Sequence, residues 1–198
     1  MSDAVPSPAA KAVVIGASAG AVEALMHILP ELPKNYPLAV LIVIHLPPDS
    51  DSTLVSLLAG RCRINVKEAE DKETICPGIV YLAPPNYHLL VEPDFSVSLS
   101  SDEPVLYSRP SIDVLFESAA DAYGTSLAGV VLTGGNSDGA QGLRKIDAAG
   151  GTAIVQEPGS AAFPEMPKAA LNACPKARTV SLSELVTVLK DELPRILR

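Results

Sequence analysis

The sequence predicts an α/β domain: a doubly wound, mostly parallel sheet with helices on both faces and a small antiparallel hairpin. Three observations lead there. Short runs of Val, Ile and Leu recur without internal polar residues, the pattern of strands buried on both faces. Stretches with apolar residues at helical spacing follow most of them. Turns rich in glycine or proline separate the two kinds of segment, so that strand and helix alternate.

At 198 residues the chain is long enough for one well-buried core, so residues 11–198 are read as a single domain behind a tail at residues 1–10. That tail is rich in Ser, Pro and Ala and lacks the charged and apolar regions of a signal peptide. No apolar run approaches the roughly 20 residues that cross a bilayer. Aromatics make up 4%, Trp is absent and the net charge is −8, which argues against phosphate-backbone binding and base stacking, so nucleic acid is not an expected partner. Cys62, Cys76 and Cys174 form no C-x-x-C pair and suit a reducing compartment, and the cytoplasm is the expected location. Arg61 and Arg63 flank Cys62 and could lower its pKa, although the thiol reads first as a structural or incidental one.

The first strand is expected at Ala12–Ile15 and its helix at Gly20–Leu29, with Val22, Leu25, Met26 and Leu29 on one face. Prolines 30, 33 and 37 then mark a loop. Ala39–Ile44 is the strongest strand signal; it ends at His45, before Pro47-Pro48. Ser52 can cap a helix through Ala59. Strands are expected at Ile64–Glu68 and Gly78–Leu82, and His88–Glu92 with Phe95–Leu99 reads as the hairpin on an exposed edge. Ser111 can cap a helix that Gly124 ends. Leu127–Leu132 is a strand, Ala140–Ala149 a helix, Thr152–Gln156 a strand and Met166–Ala173 a helix. Ser181 and Glu184 have capping-box spacing for a last helix.

In such sheets ligands bind beyond the carboxyl ends of the strands. Ser18 follows the first strand in Gly16-Ala17-Ser18-Ala19-Gly20, a strand–turn–helix setting suited to an exposed nucleophile. His45 ends the second strand, and Asp138 lies in the loop after Leu127–Leu132. A serine needs a neutral imidazole to take its proton, and a carboxylate to orient that imidazole and stabilise its charged form. Backbone N–H groups at the turn can hold the oxyanion. The order Ser, His, Asp differs from the Ser, Asp, His order of α/β-hydrolases.

Each residue also has a plainer reading. The glycine-rich turn could hold a phosphate or dinucleotide, although His45 stands where a Rossmann site wants an acidic residue. His45 could simply bond backbone at a strand end, and Asp138 could be an acid at a helix N-terminus. His88 is the rival base and His27 a surface residue. Glu117, Asp121 and Asp147 read as solvated charges. No His/Cys spacing suggests a metal, and no cofactor is expected.

Five ordered blocks resemble the catalytic domain of the CheB chemotaxis protein-glutamate methylesterases. They are Val14–Gly20, Ile44–Pro48, Gly78–Pro84 with His88, Arg109–Phe116, and Leu132–Gly134 continuing through Ser137–Gly139. Gly150-Gly151 and Phe163–Pro167 extend the likeness. The resemblance implies a serine hydrolase that removes glutamate γ-methyl esters from methyl-accepting chemoreceptors, releasing methanol; some family members also deamidate glutamine. It implies Ser18 as nucleophile, His45 as base and Asp138 as carboxylate. Ala19, Gly20, Gly134 and Gly135 would border the oxyanion and substrate. Chemoreceptor cytoplasmic helices are the implied substrate, with a sensor kinase or a separate response regulator as regulatory partners. The resemblance is to the catalytic domain alone, since about ten residues precede the first strand. Three departures stand out: Gly20-Ala21 where the family has Gly-Gly, Gly135-Asn136-Ser137 where it often has Met-Gly-Asn, and Ser108 where His often precedes Arg-Pro-Ser. Two alternative readings are a catalytically altered partner-binding module of the same fold and a nucleotide-binding Rossmann-like domain.

Overall fold

A computed structural model describes residues 10–45 and 53–197. The expected Ser52 cap, Pro47-Pro48 and all but Ala10 of the expected tail lie outside the described residues.

β1 (Ala12–Ala17) leads into α1 (Ala21–Ile28) and a 3-10 turn, and β2 (Ala39–Ile44) follows. Then come α2 (Thr53–Ala59), β3 (Asn65–Glu68), β4 (Ile79–Leu82), β5 (His88–Val91) and β6 (Val97–Ser100). α3 (Ile112–Tyr123), β7 (Leu127–Val131), α4 (Ala140–Ala148), β8 (Thr152–Gln156) and α5 (Glu165–Ala173) continue the alternation. β9 (Arg178–Val180), α6 (Leu182–Thr187), a π-helical turn over Val188–Glu192 and α7 (Leu193–Ile196) end it.

Seven strands form one sheet in the order β3-β4-β2-β1-β7-β8-β9, every neighbouring pair parallel. β5 and β6 pair antiparallel as a separate two-stranded sheet, so the hairpin packs beside α3 instead of extending an edge. Because strand side chains alternate between faces, β1 feeds two cores. Val13 and Ile15 join Leu25, Ile28 and Leu189 on one face; Ala12 and Val14 join Leu115, Phe116 and Leu143 on the other. That double burial is why β1, β2 and β7 carry no polar side chain.

β9 was not expected from the sequence. It has three residues, two of them exposed, and its apolar content is too low to stand out. The Ser181–Glu184 capping box forms as read, with the Ser181 N–H bonded to Glu184 Oε2 at 2.8 Å. Ser111 does occupy the N-cap of α3, but its side chain makes no cap bond. Nor do the flanking arginines dominate Cys62: burial pushes its thiol up.

The chain reverses its winding at β1, which lies between β2 and β7. The loops leaving these three central strands share one edge of the sheet, the place where open α/β sheets bind ligands.

Candidate active site

Ser18 directly follows β1 and His45 directly follows β2. Parallel pairing of Ala17 with Ile44 sets the two strand ends level, and the His45 N–H bonds Ala17 O at 3.2 Å. Beyond β7 the loop folds back over the same edge and carries Asp138 to His45, with Nε2 to Oδ2 at 2.8 Å.

Asp138 is wholly buried, yet it is the best-solvated group in the site in the sense that matters for an anion. It accepts from the Ile112 N–H at 2.7 Å, the Asp113 N–H at 2.9 Å and Ser111 Oγ–H at 2.9 Å, besides the His45 ring. The carboxylate thus caps α3 from outside, in place of the expected Ser111. Burial alone would raise its proton affinity. Hydrogen bonds from His45, Asp113 and Ile112, together with the His45 charge, outweigh that and hold it below the usual carboxylate range. It stays ionised.

Asp113 returns the arrangement. It sits in the first turn of α3 and accepts the Gly142 N–H of α4 at 2.7 Å. Burial pushes it up to about 6; the bond from Gly142 opposes this, and the charges of Asp138 and Glu117 add to it. A carboxyl raised in the folded state stabilises the fold while protonated, fully so below about pH 4, and the contribution disappears as pH rises through about 6. Asp113→Asn keeps an acceptor for Gly142 and removes the crowded charge. The expected result is a gain of about 1 kcal/mol, or about 2–4 °C in Tm, at pH 7.5 and none at pH 4. Thermal melts at the two pH values check it.

The other ring nitrogen, His45 Nδ1, faces the polar end of the site. Asn136 Nδ2 lies 3.4 Å from it and Ser108 Oγ 3.5 Å. Asn136 Oδ1 is occupied by the Asp138 N–H at 3.1 Å, which turns the amide nitrogen toward the ring. An amide nitrogen only donates, and the Asp138 carboxylate only accepts. Both demands are met by the tautomer with hydrogen on Nε2 and a lone pair on Nδ1, the form a general base needs.

The serine turn is stitched to the β7 loop. Ser18 N–H bonds Thr133 O at 2.9 Å, Thr133 Oγ1 bonds Ala19 O at 2.9 Å, and the Thr133 N–H bonds the buried Gln156 Oε1 at 2.9 Å. Gly20 takes the left-handed conformation at φ 82° before α1, whereas Ser18 itself has no positive φ. Of the four expected border residues, the N–H groups of Ala19, Gly20 and Gly135 make no hydrogen bond among the described residues. The Gly134 N–H differs from these, bonding Phe163 O at 3.0 Å, and Met166 packs where a Cβ would stand. It shapes the loop and offers no donor to a substrate.

His88 is buried with both nitrogens engaged, accepting from the Ser111 N–H at 3.1 Å and pairing with Glu103 O at 3.1 Å, so it is not a free base. His27 is exposed, as are Glu117, Asp121 and Asp147. No group of three or more His, Cys, Asp and Glu that could hold a metal occurs among the described residues, and none of their helices is long and apolar enough to cross a membrane. Sequence reasoning missed Ser111, Thr133, Gln156 and Asn136 as parts of this site. Two of them left a trace: Ser111 as an N-cap, and Asn136 two residues before Asp138, the spacing at which an Asx side chain bonds backbone.

Residues 13–189 match the sequence family described as CheB methylesterase. A putative protein-glutamate methylesterase/protein-glutamine glutaminase from Leptospira interrogans is 49% identical over 175 residues, 88% of this chain and 91% of that protein. A protein-glutamate methylesterase/protein-glutamine glutaminase from Chromohalobacter salexigens is 40% identical over 182 residues; the match covers 90% of this chain and 51% of that protein. The crystal structure of the Thermotoga maritima CheB methylesterase catalytic domain superposes with a TM-score of 0.86 at 33% identity, covering 90% of this chain and 96% of that one. The chain belongs to the CheB methylesterase family.

Proposed function

We propose that this protein hydrolyses glutamate γ-methyl esters on the cytoplasmic helices of chemoreceptors through Ser18, His45 and Asp138, with methanol as the leaving product. The observation that carries the reading is the buried, ionised Asp138 bonded to His45 Nε2 at 2.8 Å, beside the strand end that presents Ser18.

As Ser18 Oγ attacks the ester carbonyl carbon, its proton passes to the lone pair on His45 Nδ1. Asp138 stabilises the imidazolium through Nε2. The oxyanion lies against the N–H groups of Ala19, Gly20 and Gly135. Cleavage of the carbon–methoxy bond sends the Nδ1 proton to the leaving oxygen, giving methanol and a glutamyl-serine ester. Water then attacks that ester, its proton passing to Nδ1 and on to Ser18 Oγ, which restores the enzyme and leaves glutamic acid. With a glutamine side chain the same steps release ammonia. Ser18 Oγ makes no hydrogen bond among the described residues. That suits a nucleophile whose bond to the base forms only with substrate bound.

A fluorophosphonate tests the reading. It is expected to modify Ser18 once, located by peptide mass spectrometry, and methanol release from a methylated chemoreceptor fragment is expected to stop in step with labelling. Methanol release that persists in fully labelled protein, or label found on another residue, would overturn it. The same experiment separates a working hydrolase from a binding module of this fold, because an unactivated serine stays unlabelled.

A further inference from the structure

Seven large hydrophobic side chains stand exposed among the described residues: Val22, Leu57, Tyr87, Leu106, Tyr107, Phe163 and Ile196. Four of them come from loops that build the site. Phe163 bonds Gly134 and Thr133 through its backbone, and Tyr87 precedes the His88 that holds the start of α3. Leu106 and Tyr107 form the tip of a turn between Val105 and Ser108, and Ser108 is the residue whose Oγ lies 3.5 Å from His45 Nδ1. Tyr107 is 102% exposed, so its ring touches almost nothing of its own chain.

The turn is also strained. Val105 and Ser108 exchange backbone hydrogen bonds at 3.1 and 2.8 Å, with φ at 47° for Leu106 and 64° for Tyr107. Two consecutive left-handed residues define the mirror-image hairpin turn that Asn-Gly fits and bulky side chains resist. Meanwhile its base is held firmly. Arg109 Nη1 donates to Ser101 O at 2.8 Å and Asp102 O at 3.0 Å, and His88 Nε2 pairs with Glu103 O at 3.1 Å. Strain and exposed aromatic surface at one tip have no compensation inside the molecule. Such features persist where something outside repays them.

We propose that Leu106 and Tyr107 form a docking knob that seats against an aliphatic patch on the folded protein substrate, beside the esterified glutamate. This rests on the hydrolytic reading above. The substrate is the occupant because the knob is tied through Ser108 to the base, so a surface seated on it is placed in register with the reacting bond. A second copy of the chain seated there would instead cover the mouth. Charge points the same way. With a net charge of −8 this protein gains no long-range attraction to a substrate on which its own reaction leaves carboxylates, so apolar contact supplies the hold. A tyrosine with a leucine beside it is well suited, bringing large area at small entropic cost.

The test is the double replacement Leu106→Asn with Tyr107→Gly, which suits the turn better and removes the knob. Three quantities are compared with the wild type: labelling of Ser18 by a fluorophosphonate, methanol release as the methylated receptor fragment is varied, and sedimentation. The expected result is an unchanged labelling rate, a Tm equal or higher, and a KM raised about 10-fold at constant kcat, the size expected for one interface anchor. An unchanged KM, a parallel fall in labelling, or a wild-type dimer that the variant loses would overturn the docking. A wild type that takes no label would instead overturn the hydrolytic reading on which it stands.

Discussion

Asp138→Ala is expected to lower kcat for methanol release by about 10³–10⁴-fold and to destabilise the fold by about 3–5 kcal/mol. In a triad that orients only its histidine, loss of the carboxylate chiefly affects turnover. Here the same side chain holds the Ile112 and Asp113 N–H groups and the Ser111 hydroxyl at the buried start of α3. Truncation leaves those donors without partners, and each buried unsatisfied donor costs about 1–3 kcal/mol. Asp138→Asn separates the two roles. Its carbonyl oxygen can still serve Ser111 and Asp113, while its NH₂ group would meet the Ile112 N–H and the His45 Nε2–H. Stability should fall less than in the alanine variant, with kcat still lowered about 10³-fold or more. Urea unfolding and methanol release on both variants check this. If Asp138→Ala unfolds at the wild-type midpoint, the capping role is wrong.

Acid should act as a reversible version of that substitution. Asp138 is depressed in the folded state, so its contribution is present above the ordinary carboxylate value and is lost as pH falls through the folded one. Asp113 runs in the opposite sense, losing its contribution as pH rises through about 6. The two carboxylates face each other across the starts of two helices. Asp138 must be ionised in the mechanism proposed above, whereas burial favours the protonated form of Asp113.

Gly16→Ala is the second large effect. A Cβ at Gly16 would stand 2.2 Å from Ile112 Cγ2, inside any real carbon–carbon contact. Ile112 is buried and is the first residue of α3, so the helix start must move if the methyl group is to fit. The expected cost is about 1–3 kcal/mol, with kcat falling about 10²-fold because the displaced residue is the one whose N–H bonds Asp138. Adding Ile112→Ala removes Cγ2, Cγ1 and Cδ1, the three atoms that crowd the new methyl group. It should recover part of the loss in kcat and of the clash, whereas Ile112→Ala alone should cost about 2–5 kcal/mol. A double-mutant cycle on stability and kcat measures the coupling, and simple additivity of the two changes would sink the argument.

That Ser18, His45 and Asp138 would come to one edge of the sheet was legible in the sequence for a physical reason. Strands buried on both faces announce themselves as unbroken apolar runs, so the first polar residue after each run marks the edge where ligands bind. β1 and β2 are such runs, and Ser18 and His45 follow them directly. Asp138 lies farther from its strand, yet the small and polar loop between them stood out in the same way. β9 was not legible, because three residues with two exposed carry no periodicity. Ser111 was legible as an N-cap, a local motif, and the local reading was wrong about its bond: a carboxylate 27 residues away took the donors, and the serine hydroxyl turned to that carboxylate.

Local pattern alone determined the α/β alternation, the polar residues that follow β1 and β2, the Ser181 capping box and, through five ordered blocks, the family resemblance. Each depends on residues near one another in the chain, where side-chain period and turn chemistry act. Only the tertiary structure decided that β1 lies between β2 and β7, that Asp138 belongs to α3 as much as to His45, that the Gly134 N–H is occupied, and that Leu106 and Tyr107 stand out on the turn that carries Ser108 to His45. Those outcomes depend on which distant groups meet once the sheet closes, and on which buried donors remain to be satisfied when it does.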